Sequence, residues 1–270
     1  KYNMIGKTIW QGTYIAIIAA IFHLALSPFA GDIFSLIGHA PEVQKLEVVY
    51  FKILNLGVFF PVFGAVLSAF YSGRGRTIIV MWVNVIATVV NIYLNYVLVF
   101  GNSYIPAMGI KGAGIATVAS QAVMCIIFLS LMFRPVLREK YNLFTKVKFD
   151  SSLFGRIIRY GLPSGIQMCV EIFGITFFIL LIGRLGKINL AASNIALNIN
   201  LFALMPMMGL GIAVSIIVGQ SIGSGFPEKS EYGIFSSFHI AFLYMFITIL
   251  IYIFLPDLLL KPFTMGTGDK

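Results

Sequence analysis

Apolar residues run through this chain in long blocks separated by short polar or basic stretches. The blocks predict seven helical spans, over residues 12–31, 52–72, 78–101, 110–133, 161–183, 193–219 and 233–255. A run of roughly twenty apolar residues matches the hydrocarbon thickness of a bilayer when helical. A transmembrane β-barrel would alternate polar and apolar positions along each strand, and these blocks do not. The pattern predicts an all-α polytopic membrane protein. An odd number of spans, and a tail ending Gly266-Thr267-Gly268-Asp269-Lys270, are what a piece of a longer chain would show.

Composition sharpens this picture. Of 270 residues, 59% are hydrophobic and 11% charged, against about 25% charged in soluble domains; mean hydropathy is +0.94. The net charge of +9 is gathered in a few short loops, where Lys and Arg set membrane topology, so it is no sign of a nucleic-acid partner. The turn Gly73-Arg74-Gly75-Arg76 and the link 134–160, with Arg134, Arg138, Lys140, Lys146, Lys148, Arg156 and Arg159 against Glu139 and Asp150, fall on one side if the spans alternate. That side is predicted to be cytoplasmic, in a multi-pass protein of the plasma (inner) membrane. The outer side receives 32–50, with Asp32, Glu42 and Glu47 against Lys45, and the uncharged 102–109. Arg184 and Lys187 run against the trend, and Glu228 and Glu231 weaken the last inner loop, but the 134–160 cluster dominates. The link is also the natural boundary between residues 1–133 and 161–270. A faint repeat crosses it at one fixed offset: Pro28 matches Pro256, Gly38 matches Gly266, and Glu42 meets Lys270. Repeated halves are a common transporter plan.

The fifth span carries the one carboxylate placed near the middle of any span, Glu171. An ionisable group there costs roughly 2.5 kcal/mol or more unless it faces a cavity or a partner. On a helix Ser164, Gln167, Glu171 and Gly174 share a stripe, which should face protein or water. The third span carries Asn84, Thr88, Asn91 and Asn95 on one face. Spacing alone favours hydrogen-bonded glue between helices; the other reading is a set of oxygen donors for a hard cation such as Na⁺. The fourth span opens with small residues (Gly112, Ala113, Gly114) and shows a mildly polar face of Thr117, Ser120, Gln121 and Met124, for which close packing is the default. The sixth span aligns Asn194, Asn198, Met205 and Met208 around Pro206 and Gly209; a kinked, packed helix is favoured there.

The remaining chemistry is sparse. Cys125 and Cys169 lie in apolar blocks and are expected to be packed thiols; His23 and His239 are expected to be hydrogen-bonded core residues, and His39 a loop residue. No catalytic triad, His-Glu-x-x-His or phosphate-cradling loop occurs, so an enzyme is not expected, and Gly223-Ser224-Gly225 reads as a helix stop.

Several stretches taken in order resemble a known family: 67–77 (LSAFYSGRGRT), Asn91-Ile92-Tyr93-Leu94-Asn95-Tyr96, 108–117 (MGIKGAGIAT), Gly161-Leu162-Pro163-Ser164, Met205-Pro206 and 218–225 (VGQSIGSG). Together they resemble the multidrug and toxic compound extrusion (MATE) family, in its NorM-like bacterial branch. The resemblance implies a twelve-helix, two-lobe transporter, of which this chain would supply helices three to nine. Residues 1–133 would close the N-terminal lobe, 134–160 would be the cytoplasmic inter-lobe loop, and 161–270 would open the C-terminal lobe. Asn91, Asn95 and Thr117 match positions of the first-lobe cation site. Glu171 matches the seventh-helix carboxylate that takes part in coupling. Their acidic partners in helices one and ten would lie outside these 270 residues.

The activity so implied is antiport, in which entry of Na⁺ or H⁺ drives export of organic, mostly cationic compounds by alternating access. No cofactor is expected beyond the coupling ion, and no metal beyond Na⁺ at Asn91, Asn95 and Thr117. Ser164, Gln167, Asn84, Asn198, Met205 and Met208 are the expected substrate-cavity residues. The bilayer and small organic cations are the expected partners, and a monomer the expected state. An apolar cavity around Glu171 would let it alternate between proton and ligand. The nearest rival is a lipid-linked oligosaccharide flippase, which should line its cavity with cations. The residues alone leave open H⁺ against Na⁺.

Overall fold

The structure, a computed structural model, describes residues 2–37, 40–102, 104–141, 143 and 147–264. The expectations that fall on Gly38, His39, Lys146, Gly266 and Lys270 lie outside the described residues. Among the described residues the ordered elements are all helical. They are α1 (Tyr2–Leu26), a 3₁₀ turn (Ser27–Phe29), α2 (Ala30–Ser35), α3 (Pro41–Gly57), α4 (Phe59–Ser72) and α5 (Thr77–Phe100). There follow α6 (Ile110–Met132), α7 (Pro135–Tyr141), α8 (Ser151–Gly183), α9 (Lys187–Ser224), α10 (Pro227–Phe254) and α11 (Pro256–Thr264). Among the described residues six helical stretches are long and apolar enough to cross a membrane, seven when the bent pair α3–α4 is read as one span. The chain divides into two compact units, residues 1–159 and 160–270. The division falls inside α8, at Arg159, whose carbonyl loses its helix donor because Pro163 has no N–H.

In residues 1–159 the core is built from α4, α5, α6 and α7: Leu67, Phe70, Tyr71, Val83, Ala87, Met124, Cys125, Phe128, Met132 and Tyr141, with Leu143. The Tyr71 ring stacks on Phe128 at 5.4 Å, and its hydroxyl donates to the Phe128 carbonyl at 3.1 Å. Cys125 is packed as expected, its Sγ 3.2 Å from the Phe60 carbonyl. The small residues that open α6 allow close approach: a Cβ on Gly112 would collide with the Leu98 carbonyl of α5, and one on Gly114 would press on Ile53 of α3 at 3.0 Å.

The second span departs from expectation. The helix begins at Pro41, not at 52, so most of the expected loop 32–50 is helical, and Gln44 and Glu47 sit on α3. It then bends by 42° between Gly57 and Phe59. Pro61 explains the bend, since it cannot donate to the Gly57 carbonyl and its ring would crowd that oxygen in a straight helix. His23 on α1 bonds there as expected, Nδ1 lying 3.1 Å from Asn55 Oδ1.

The link 134–160 also departs from a plain loop: α7 occupies 135–141 and α8 starts at Ser151. Between them the chain is pinned to α1. Trp10 Nε1 donates to the Leu143 carbonyl (2.8 Å), and the Tyr14 hydroxyl donates to that of Val147 (3.1 Å). Fully buried Gln11 uses both ends of its amide: Nε2 donates to the Lys148 carbonyl (3.2 Å) while Oε1 accepts from the Asp150 N–H (3.3 Å). Asp150 caps α8 by accepting from the Leu153 N–H at 3.3 Å and pairs with Lys7 Nζ at 3.1 Å. The Lys7 bond, helped by the Leu153 N–H, holds the Asp150 carboxyl below the usual carboxylate range.

In residues 160–270, α9 and α10 form a helical hairpin. The Tyr244 hydroxyl donates to the Ala203 carbonyl at 2.9 Å, and that of Tyr252 to Ile199 at 3.4 Å. Gly225 (φ +86°) ends α9 in the left-handed conformation, with the Phe226 N–H closing on the Ser221 carbonyl at 3.0 Å. The expected helix stop is therefore present. Two thiol and imidazole expectations change here, because Cys169 and His239 are exposed in their unit, and His239 bonds only to the Phe235 carbonyl of its own helix at 2.7 Å. The helix ends extend the sequence repeat: α1 and α10 stop at Leu26 and Phe254, at the same 228-residue offset as Pro28 and Pro256 (26 and 254, 28 and 256). A short helix, α2 or α11, follows each.

Candidate functional site

The polar faces of α5 and α6 meet. Asn84, Ala87, Thr88 and Asn91 from α5, with Thr117, Ser120, Gln121 and Met124 from α6, line a pocket of about 220 Å³. Positions 84, 88 and 91 share a face because they are spaced at helical period, and 117, 120, 121 and 124 do the same opposite. Small residues early in α6 bring the two backbones close enough for the faces to touch. Asn91 Nδ2 donates to Ser120 Oγ at 3.2 Å across the helix pair, and Ser120 Oγ donates to the Thr117 carbonyl at 2.8 Å. Asn84 Nδ2 donates to the Val80 carbonyl at 2.8 Å. Asn95 Nδ2 donates twice, to the Asn91 carbonyl (2.9 Å) and to Asn91 Oδ1 (3.0 Å).

These bonds have a chemical consequence. They engage the carboxamide nitrogens, so Asn84 Oδ1 keeps both lone pairs and Asn91 Oδ1 keeps one. The pocket thus offers oxygen acceptors in a largely polar lining, closed by Ala87 and Met124, a donor set that suits a hard cation. The Asn91–Ser120 bond is interhelical glue of the kind that the spacing favoured.

The expected set is not assembled intact. Asn91 and Thr117 line the pocket, but the Thr117 hydroxyl donates to the Ala113 carbonyl of its own helix at 2.9 Å. Asn95 does not line it; its amide turns back onto Asn91, one turn earlier. Asn84, expected in the substrate cavity, shares this pocket instead. Ser120 and Gln121 were legible only as a packing face, and their meeting with Asn91 depends on helix pairing.

In residues 160–270, Gln167 Nε2 donates to Glu171 Oε1 at 3.0 Å, one turn along α8. Ser164, Gln167 and Glu171 are exposed in their unit, and no residue of α8 is buried among those described. The apolar enclosure expected around Glu171 is therefore not supplied by its own unit. A second pocket of about 490 Å³ lies between α9, α10 and α11, lined mostly by apolar residues such as Phe202, Ile247 and Leu258, with Tyr244 and Thr248. Asn198, Met205 and Met208 do not line it. The α9 face that does, Ile199, Phe202 and Ala203, lies about 100° round the helix from Asn198, so the expected stripe points elsewhere. Asn198 Nδ2 donates to the Asn194 carbonyl at 2.8 Å, and Met205 and Met208 are exposed. Among the described residues no three His, Cys, Asp or Glu side chains cluster as a metal site would.

Known proteins share this chain's sequence and fold. The MatE family profile matches residues 1–97 and 163–267. The probable multidrug resistance protein NorM of Agrobacterium fabrum (strain C58) is 32% identical over 81% of this chain and 47% of its own length. The protein of the same name from Thermotoga maritima is 28% identical over 94% of this chain and 55% of its own. The chain thus spans about half the length of the curated relatives it matches. Among solved structures, a MATE protein in complex with MaD5 superposes with a TM-score of 0.80 at 20% identity, over 99% of this chain and 65% of that one. An outward-facing multidrug resistance MATE family transporter of the MOP superfamily gives 0.77 at 22%, over 99% and 64%. At those identities the likeness is one of fold. With three quarters of the chain inside the profile, this integral membrane protein belongs to the MatE family.

Proposed function

We propose that this chain is part of a cation-coupled antiporter that exports organic, mostly cationic compounds by alternating access across the plasma membrane, with 134–160 on the cytoplasmic side. Its family and the names of its relatives support drug extrusion. The observation that carries the coupling is the acceptor-rich pocket between α5 and α6, where Asn84 and Asn91 present carboxamide oxygens while their nitrogens are engaged. In this reading the pocket takes Na⁺ or, through a bound water, H⁺. Glu171, oriented by Gln167, is the second coupling group. Competition between ion and substrate for one set of groups supplies the differential binding that exchange requires. The chain works as a monomer and needs no cofactor.

The flippase reading is not favoured, because neither pocket lining contains Lys or Arg to hold a phosphate-linked substrate. Efflux of a fluorescent organic cation tests the proposal in the intact gene product. Glu171→Gln is expected to abolish ion-driven export while leaving the protein in the membrane; unchanged export would remove Glu171 from the mechanism.

A further inference from the structure

We propose that one end of residues 1–159, built from α7, the turn 73–76, the segment 147–150 and the first turns of α8, is a platform that binds the headgroups of anionic phospholipids. Arg76, Arg134, Arg138, Lys148, Arg156 and Arg159 are all exposed there, and none is held in an ion pair among the described residues. Among the described residues the carboxylate ion-paired at this end, Asp150, is engaged by Lys7. Charge that served only to set topology would need no fixed geometry. This charge is carried on a fixed scaffold. The Arg74 guanidinium lies over the rings of Phe70 (4.8 Å) and Tyr141 (4.6 Å), tying the turn 73–76 to the end of α7. Leu137 and Tyr141 seat α7 on the core, while Arg138 on α7 and Arg134 just before it remain exposed. Trp10, Gln11 and Tyr14 fasten Leu143, Val147 and Lys148 to α1, so Lys148 and the start of α8 are held at the same end.

The apolar residues between the cations choose the partner. Phe133, Val147 and Phe149 are about half exposed (55%, 48% and 59%) beside Arg134 and Lys148. Cations interleaved with exposed aromatic and aliphatic groups fit the boundary between headgroups and acyl chains, whereas an acidic protein surface would leave those apolar groups unmatched. Each cation near an anionic membrane surface contributes about a factor of five in binding.

The test is native mass spectrometry of the detergent-solubilised 270-residue chain, titrated with phosphatidylglycerol and in parallel with phosphatidylcholine. The parent is expected to retain phosphatidylglycerol in preference. Arg134→Gln/Arg138→Gln should weaken that retention about 25-fold, at roughly a factor of five per charge, and leave phosphatidylcholine unchanged. Arg156→Gln/Arg159→Gln should do the same from the other half of the platform, and Arg184→Gln in the other unit should have no effect. Retention unaltered in both double variants, or reduced equally by Arg184→Gln, would overturn the proposal. So would displacement of the lipid by inorganic phosphate or by an acidic peptide at equal concentration, the first marking a plain anion site and the second a protein-docking surface.

Discussion

Asn91 Nδ2 lies 3.2 Å from Ser120 Oγ, and this bond both ties α5 to α6 and turns the Asn91 carbonyl oxygen away from the Ser120 contact. One residue thus combines a packing role with an acceptor role, and the two are separable by substitution. Ser120→Ala should cost roughly 0.6–1.7 kcal/mol of stability, the range for a hydrogen bond between membrane helices, yet retain Na⁺ binding because Asn91 Oδ1 remains. Asn91→Ala should lower both. Calorimetric Na⁺ titration alongside thermal unfolding checks this, and Na⁺ affinity untouched by Asn84→Ala and Asn91→Ala would reject ligation on this face.

The close approach that forms the pocket rests on Gly112. A Cβ there meets the Leu98 carbonyl, a backbone atom that cannot rotate aside. Gly112→Ala should therefore destabilise the protein by about 1–3 kcal/mol. Gly155→Ala on α8, where nothing lies within 4 Å, should be neutral or stabilising by up to about 1 kcal/mol. Melting temperatures of the two variants in the same detergent would test the contrast.

Gln11 is fully buried and holds two backbone groups of the link, the Lys148 carbonyl and the Asp150 N–H. Gln11→Leu keeps the volume but leaves both without their partner, an expected cost of about 1–3 kcal/mol for each group left unsatisfied. The local consequence should be faster proteolytic cleavage near 147–150 than in the parent. Equal cleavage rates would show that the clamp does not hold the link.

Asp150 gives a pH dependence with a defined sign. Its folded pKa is depressed, chiefly by the Lys7 hydrogen bond, so its contribution is full above the unfolded value of about 3.9. The contribution is lost as pH falls through the lower, folded value. Asp150→Asn should therefore unfold at a lower temperature than the parent at pH 7 and at pH 5, with the gap closing in strong acid. A gap that widened on acidification would contradict the assignment.

Hydropathy along the chain was enough to place the spans, because a helix that buries its backbone polar groups in lipid must be long and continuously apolar. Helical period was enough to put Asn84, Thr88 and Asn91 on one face and Gln167 beside Glu171. The glycine at 225 marked the end of α9, since few other residues adopt that left-handed backbone readily. The tertiary structure decided what each polar group meets. A one-dimensional pattern gives a side chain's direction on its own helix but not the neighbour opposite, so Asn91 reaching Ser120 and Asn95 turning back were not legible. The pinning of Leu143, Val147 and Lys148 to α1 was hidden likewise, because it depends on contacts between residues far apart in the chain. Glu171 shows the division most clearly. Its place in an apolar span, one turn from Gln167, is written in the sequence; its exposure in its own unit is set by the fold.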